Sequence, residues 1–141
     1  MREVIPVMKE QGGGSIVNCG SVSSQLGGDT LSAVYCAAKG GLAAMTKNTA
    51  DAYGKYGIRA NMVHPGPTFT STVLKAYPGL TVEYMGYTFK DCIPLPPHAA
   101  EPIDIANAYL FFASDESKFV TGQQVCVDAG WTAGGGWPTV G

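Results

Sequence analysis

Two short apolar segments separated by one long helical segment constrain the fold of this chain more than any other feature. Residues 15–19 read SIVNC, a nearly continuous apolar run typical of a buried parallel strand, and residues 58–64 read IRANMVH, which predicts a second buried strand that ends at Pro65 and Gly66. Between them, the sequence from Ser32 to about Tyr53 predicts a helix with Ser32 as its N-cap. Strand, helix and strand in this order predict a right-handed βαβ unit, and therefore an α/β fold.

The flanking sequence extends this alternation in both directions. Residues 2–11 predict the end of an amphipathic helix, and the glycines at 12–14 terminate it. A further helix is expected from Glu101 to about Ser114, because Pro102 suits a first helical turn. Residues 124–127 then predict a third strand. The chain is thus expected to form a parallel sheet with helical connections.

A long segment with many aromatic residues and prolines interrupts this pattern. Residues 71–100 have no clear periodicity, which predicts a long loop that is a lid, a binding loop or an interface, and the prolines favour a lid over aromatic packing in the core. The Gly-rich tail carries Trp131 and Trp137, which we expect to pack over the sheet or across a subunit boundary.

A tyrosine and a lysine at the start of the long helix are the strongest candidates for catalysis. Tyr35 and Lys39 lie one helical turn apart in the segment YCAAK, so their side chains share one face. A positive charge close to a phenol favours the phenolate, and the pair can then act as one acid/base unit. Ser21 follows the first strand and can donate a hydrogen bond to a substrate oxygen. The alternative is a chance pair on a surface helix.

The turn after the second strand is a candidate for ligand binding, because ligands of open α/β sheets bind at the carboxyl ends of the strands. Residues 65–70 read PGPTFT, in which the prolines fix the backbone while Thr68 and Thr70 offer hydroxyl groups to a ligand. An ordinary proline-rich turn is the alternative.

The composition argues against several other classes of function. The 9 basic and 11 acidic residues give a net charge of −2 without a block of like charge, so neither nucleic acid nor an anionic membrane is expected as a partner. No apolar run reaches the ~18 residues that a membrane span needs. The cysteines and histidines are scattered, which favours reduced thiols in the cytoplasm and no metal site: Cys19, Cys36, Cys92, Cys126, His64 and His98. Only 14% of the residues are charged, so we expect further chain or a partner subunit to cover part of the surface.

The motifs occur in the order and spacing of one family. They are GSIVN followed by Ser21, YxxxK at Tyr35 and Lys39, IRxNxxxPG at residues 58–66, PxDIA at residues 102–106, and SxFVTGQ followed by Asp128. Over almost its full length the chain resembles the carboxyl-terminal half to two-thirds of a short-chain dehydrogenase/reductase. The resemblance implies the C-terminal part of a Rossmann-type doubly wound parallel sheet, equivalent to its strands 5, 6 and 7. It divides the chain into a catalytic unit (1–70), a substrate lid (71–100) and a last helix, strand and tail (101–141).

The resemblance also implies a reaction and a set of roles. Hydride would pass between NAD or NADP and a secondary alcohol or ketone, with Tyr35 as the acid/base. Lys39 would support the Tyr35 phenolate and bind the nicotinamide ribose, while Ser21 would polarise the substrate oxygen. The residues lining the nicotinamide would be Tyr35, Lys39, Pro65, Gly66, Thr68 and Thr70. The aromatic lid suggests an apolar or ring-bearing substrate, and the long helix and last strand would form a homodimer or homotetramer.

The sequence departs from the family's pattern in its cofactor-binding half. The glycine-rich loop TGxxxGxG, the NAG motif and the asparagine of the catalytic tetrad are absent, and Gly20 stands where the family usually has a serine. The alternative hypothesis is therefore a catalytically inactive fragment or a dimerisation module. A family member that binds a nucleotide only for structure or regulation is a third possibility.

Overall fold

The computed structural model describes residues 1–27 and 32–134 and contains a parallel sheet of 3 strands in the order β1-β2-β3. The strands are β1 (Gly14–Cys19), β2 (Ile58–Pro65) and β3 (Gln124–Val127). Gly14 lies opposite Ile58 at one end of the β1 and β2 pair, and both pairs of neighbouring strands run parallel. The expected α/β class and the parallel arrangement of three contiguous strands are confirmed.

Six α-helices accompany these strands within the described residues. They are α1 (Val4–Glu10), α2 (Ala33–Tyr53), α3 (Ser71–Ala76), α4 (Val82–Phe89), α5 (Pro102–Ala113) and α6 (Trp131–Gly134). Ser32 is the N-cap of α2 and its backbone is extended, as expected, but its side chain makes no capping hydrogen bond. The predicted N-cap is therefore right in position and wrong in its contact.

The proposed lid is more regular than its sequence suggests. Helices α3 and α4 occupy much of residues 71–100, where aperiodic sequence predicted a loop. Thr70 accepts a hydrogen bond from the Val73 N–H, and Thr81 accepts one from the Tyr84 N–H. These threonines start two helices too short to show a clear period, which is why the prediction of a loop was wrong.

The side chains of each strand alternate between the two faces of the sheet, and helices cover both faces. On one face, Val63 of β2 packs with Ile105 and Phe112 of α5 in a buried apolar cluster. On the other face, the Thr46 hydroxyl of α2 accepts a hydrogen bond from the Asn18 amide at 2.8 Å. This second face carries polar side chains inside the core, and it leads directly to the candidate site.

An arginine connects β2 to the end of α5. The Arg59 guanidinium donates hydrogen bonds to the carbonyls of Phe112 at 3.0 Å and Ser114 at 3.1 Å, and to Ser117 Oγ at 2.8 Å. These carbonyls lie at the C-terminus of α5, where backbone acceptors have no partner within the helix. The arginine therefore fixes α5 against the sheet.

Tyr109 of α5 packs beside this apolar cluster, near the last residue of β1. Its hydroxyl is buried without a hydrogen-bond partner among the described residues. Burial, and to a lesser extent the neighbouring Cys19 thiol, raise the pKa of Tyr109. The phenol is therefore held in its neutral form.

The C-terminal helix contacts the proposed lid through two aromatic rings. Trp131 of α6 packs on Phe89 of α4, with the ring centroids 5.5 Å apart and the planes tilted by 55°. The expectation for Trp137 lies outside the described residues. None of the helices in residues 1–27 and 32–134 combines the length and the apolar character that a bilayer crossing requires.

Candidate active site

The carboxyl ends of β1 and β2 place two candidate segments side by side. Cys19 lies opposite Val63 in the parallel register, and the Gly20 N–H donates to the Val63 carbonyl at 2.7 Å. The chain therefore leaves β1 at Ser21 next to the point where β2 ends in Pro65. This edge of an open α/β sheet is where ligands bind.

Helix α2 brings Tyr35 and Lys39 to this edge. The Lys39 Nζ lies 5.6 Å from the centroid of the Tyr35 ring, as their spacing of one turn predicts. The same ammonium donates a hydrogen bond to the Cys19 carbonyl at 2.9 Å. Lys39 thus connects the tyrosine to the end of β1, two residues before Ser21. The Tyr35 side chain is 45% exposed, so it is accessible to a ligand from solvent.

The Ser21 side chain is held in one orientation by its neighbours. Ser21 is only 8% exposed and is the N-cap of a short 3₁₀ turn at Val22–Ser24. Its Oγ accepts the Ser23 N–H at 3.2 Å and donates to Ser23 Oγ at 3.0 Å. A ligand oxygen that accepts this proton would take the place of Ser23 Oγ as the acceptor. Ser23, which the sequence analysis did not single out, thus sets the direction of the candidate catalytic hydroxyl.

The segment after β2 is held against β3 and the end of the lid. The Gly66 N–H donates to the Val127 carbonyl at 2.9 Å, and a Cβ on Gly66 would lie 2.8 Å from the Asp128 Cα. Any other side chain at position 66 would therefore push this segment away from β3. Thr68 Oγ donates to the Gly66 carbonyl at 3.0 Å, so it retains acceptor capacity. Thr70 Oγ is engaged as the cap of α3 and retains its proton as a donor.

The structure brings several of the predicted site residues next to one another. Tyr35 and Lys39 are adjacent, and Lys39 contacts the strand end that carries Ser21. Pro65 and its neighbours lie at the end of the adjacent strand, so Ser21 and the segment from Pro65 occupy the carboxyl ends of two paired strands, while Tyr35 and Lys39 come from α2. Their catalytic and cofactor-binding roles remain predictions.

His64 is the main residue that the sequence reasoning missed. It is fully buried at the end of β2, and its ring lies within hydrogen-bond distance of Ser21. The sequence contained one usable signal: a histidine that ends an apolar strand directly before Pro65 must lie at the ligand-binding edge. Sequence alone assigned His64 to the second strand and to no metal site. No cluster of three metal-binding side chains is found in residues 1–27 and 32–134.

A cavity lies next to this edge, between the end of β3 and the proposed lid. Its volume is about 340 Å³, and its walls include Pro67, Ile93, Pro97, His98 and Val127. The Asp128 carboxylate at its rim is already satisfied by Gly130, by the Thr132 N–H at 2.8 Å and by the Thr132 hydroxyl at 2.7 Å. The cavity is therefore mainly an apolar recess beside the candidate active site.

Comparisons with known proteins agree with this architecture. A family model described as enoyl-(acyl carrier protein) reductase matches residues 1–132. The chain is 38% identical over 129 residues to the 7alpha-hydroxysteroid dehydrogenase of Bacteroides fragilis, which covers 92% of this chain and 48% of that protein. It is 39% identical over 134 residues to the trans-4-hydroxycyclohexanecarboxylate dehydrogenase of Sinomonas cyclohexanicum, which covers 95% of this chain and 47% of that protein.

A solved structure extends the likeness to three dimensions. The gluconate 5-dehydrogenase of Burkholderia cenocepacia, crystallised with NADP and tartrate, superposes with a TM-score of 0.78 at 31% identity. The match covers 94% of this chain and 50% of that one. The chain spans about half the length of the curated relatives it matches, at 48% and 47%. By its motifs, its sheet and these matches, the chain belongs to the short-chain dehydrogenase/reductase family.

Proposed function

We propose that the protein is an NAD(P)-dependent oxidoreductase that interconverts a secondary alcohol and a ketone, with Tyr35 as its acid/base. The observation that carries the proposal is the position of the Lys39 ammonium. It lies 5.6 Å from the Tyr35 ring centroid and 2.9 Å from the carbonyl of Cys19, two residues before Ser21. One cation therefore holds the phenol at the edge of the sheet where ligands of such folds bind.

The residues around this edge suit the nicotinamide half of a dinucleotide. Lys39 offers an ammonium for the ribose hydroxyls, and Thr68 and Thr70 offer hydroxyl groups of unfilled hydrogen-bonding capacity for a carboxamide. Pro65 and Gly66 would supply the backbone that lines the ring. When bound, the nicotinamide supplies or accepts the hydride. None of the candidate cofactor-binding residues distinguishes NAD from NADP, so the proposal covers both.

The side chains of this chain would handle the proton and the substrate oxygen. In the direction of reduction, Tyr35 gives its proton to the ketone oxygen as the carbon receives hydride, and the product is a neutral alcohol. The Ser21 hydroxyl donates a hydrogen bond to the same oxygen and stabilises the charge that develops there. In the direction of oxidation, the Tyr35 phenolate accepts the alcohol proton, and Lys39 stabilises that phenolate.

The substrate class that fits best is an apolar or ring-bearing alcohol or ketone. The proposed lid carries tyrosines that are largely exposed: Tyr77 at 67%, Tyr84 at 65% and Tyr87 at 66%. Exposed aromatic side chains on a segment beside a ligand-binding edge provide an apolar surface for such a ring. Two relatives are named for a hydroxysteroid and for a hydroxycyclohexanecarboxylate, both of which are cyclic alcohols.

The decisive experiment is Tyr35→Phe in the native protein, with any sequence that flanks residues 1–141 retained. We expect turnover of cyclic secondary alcohols to disappear while cofactor affinity changes little, because only the phenol oxygen is removed. Tyr56→Phe is the matched control: Tyr56 also lies near a lysine, Lys55 at 5.3 Å, but away from the candidate site. Turnover that survives in Tyr35→Phe would refute the proposed mechanism.

A second candidate follows from the share of its relatives that the chain covers. At about half of their length, the 141-residue chain by itself would be an inactive fragment or a dimerisation module. Titration of NADH and NADPH into the isolated chain separates the two candidates. Micromolar binding would contradict the fragment hypothesis, whereas no binding would assign the activity to a longer polypeptide.

Self-association and cellular location belong to the same proposal. The long helix α2 and the last strand β3 expose apolar side chains, with Val34 at 79% and Val125 at 41%, which suits a homodimer or homotetramer interface. Light scattering coupled to size-exclusion chromatography measures this directly. The four cysteines are free, which fits a reducing cytoplasm.

A further inference from the structure

The candidate catalytic serine rests on a buried imidazole. His64 is 0% exposed and lies on the face of the sheet that α2 covers, two positions along β2 from the buried Met62. Its ring faces the peptide groups of Ser21, not the Ser21 side chain. The proposed proton transfer does not use this histidine, so its burial at this position needs a separate explanation.

A glutamine fixes which nitrogen of the His64 ring carries the proton. The Gln124 amide nitrogen donates to the Ala43 carbonyl at 3.3 Å, so the Gln124 Oε1 faces His64 Nε2 at 3.1 Å. A carboxamide oxygen can only accept, and therefore Nε2 of the ring is the donor. In the neutral imidazole, Nδ1 is then an acceptor.

This acceptor is used by the main chain of the candidate catalytic serine. Nδ1 of His64 lies 3.2 Å from the Ser21 nitrogen and accepts its N–H. The Ser21 carbonyl lies 2.9 Å from the same Nδ1 and accepts the Ser24 hydroxyl at 2.8 Å, and that hydroxyl oxygen itself lies 3.0 Å from Nδ1. Both peptide groups that flank the Ser21 Cα are thus held, and this determines where its hydroxyl can point.

The approach of the ring requires the glycine that precedes Ser21. A Cβ built on Gly20 would lie 2.5 Å from His64 Nδ1 and 2.9 Å from its Cε1. It would also lie 2.8 Å from the Met62 Cε. Real Cβ atoms do not approach other atoms this closely, so Gly20 and the imidazole fit together as a pair.

We propose that His64, in its Nε2–H tautomer and together with Gly20, is the positioning residue that sets the orientation of Ser21. The inference rests on the proposed function, because Ser21 needs a fixed direction only if its hydroxyl polarises a substrate oxygen. It adds a residue that contacts neither substrate nor cofactor and acts through the backbone of Ser21.

Two substitutions at position 64 test which ring nitrogen matters. His64→Asn places an amide oxygen near the position of Nδ1, whereas His64→Gln places its amide near the position of Nε2. We expect kcat to fall about tenfold in His64→Gln, the value of one lost hydrogen bond, and to fall less in His64→Asn. The KM for cofactor should stay unchanged in both. Equal losses of kcat in the two variants would overturn the proposal.

A measurement independent of turnover separates this proposal from the proposed function. Hydrogen exchange of the Ser21 amide, followed by NMR, should be slow in the wild type and in His64→Asn and faster in His64→Gln. If the wild-type protein shows no turnover, the proposed function fails, and unchanged Ser21 exchange in all three proteins refutes the hold of His64 on Ser21. Turnover in the wild type with unchanged exchange refutes the positioning role alone.

A double-mutant cycle tests the fit between the glycine and the ring. Gly20→Ala should lower kcat and the melting temperature, but it should add little to the effects of His64→Ala, because the shortened side chain leaves room for the new methyl group. Gly27→Ala, in the same loop but with no atom within 4 Å of the new Cβ, is the control and should be neutral. Fully additive effects of Gly20→Ala and His64→Ala would overturn the pairing.

Discussion

Replacing Lys39 with methionine separates the electrostatic role of this residue from its structural one. Methionine keeps much of the apolar stem and removes the ammonium. With the 5.6 Å from Lys39 Nζ to the Tyr35 ring centroid taken as the charge separation, two unit charges interact by about 0.7 kcal/mol in water and by about 3 kcal/mol at an effective dielectric of ~20. Since Tyr35 is 45% exposed, the interaction energy between the Lys39 ammonium and the Tyr35 phenolate in the free protein lies between these two values.

This range of energies converts directly into a range of rates. At about 1.4 kcal/mol for each factor of ten, losing the charge slows proton transfer by about 3- to 150-fold. Bound substrate and cofactor exclude water from the pair, so we expect a loss of kcat near the upper limit. The hydrogen bond from Lys39 to the Cys19 carbonyl is exposed, so the free energy of unfolding should fall by less than about 1 kcal/mol.

The loss of kcat is measured from initial rates, followed by the absorbance of the reduced nicotinamide. The change in the free energy of unfolding is measured by urea denaturation. Lys55→Met is the matched control, since Lys55 lies 5.3 Å from the Tyr56 ring centroid but away from the candidate site. If Lys39→Met and Lys55→Met retain the same kcat, the ammonium does not support the reacting phenol, and the argument for Lys39 is wrong.

Two further predictions concern the stability of the fold. Arg59→Met should lower the free energy of unfolding by only about 1–2 kcal/mol in urea denaturation, because the Phe112 carbonyl keeps other donors, among them Ser15 Oγ at 2.7 Å. A loss above about 4 kcal/mol would contradict this reasoning. Burial raises the pKa of Tyr109 above its ordinary value of 10.0, so the unfolded chain releases this proton first and stability falls as the pH rises above that value. Tyr109→Phe should reduce this alkaline loss and leave stability at neutral pH equal or higher; an unchanged pH dependence would exclude Tyr109 as its source.

The sequence predicted the sheet well because each strand combines a local and a global signal. Residues 58–64 carry apolar side chains at Ile58, Ala60, Met62 and Val63 and are followed by Pro65, so a buried strand and its terminus are both readable. The long helix was equally clear, because its 21 residues span several helical turns and the helical pattern repeats often enough to be recognised. The position of its cap at Ser32 was readable too, although the Ser32 side chain makes no capping hydrogen bond.

The regions where the sequence failed depend on contacts between distant residues. Helices α3 and α4 are short and begin at threonine caps, and their aromatic residues hide any period. The environment of His64 is built by Ser21, 43 positions earlier, and by Gln124, 60 positions later, so no local pattern announces it. Tyr35 and Lys39 were readable as a pair because they lie one helical turn apart, and Lys39 contacts the Cys19 carbonyl two residues before Ser21.

The tilted contact between the Trp131 and Phe89 rings gives the molecule an intrinsic fluorescent probe. The fluorescence of an indole responds to the polarity and mobility of its surroundings. The Trp131 indole contacts α4, the helix that carries Tyr84 and Tyr87. Any rearrangement of α4 on ligand binding must slide or separate the two rings. Changes in the wavelength and intensity of tryptophan fluorescence therefore report such a movement without an attached dye.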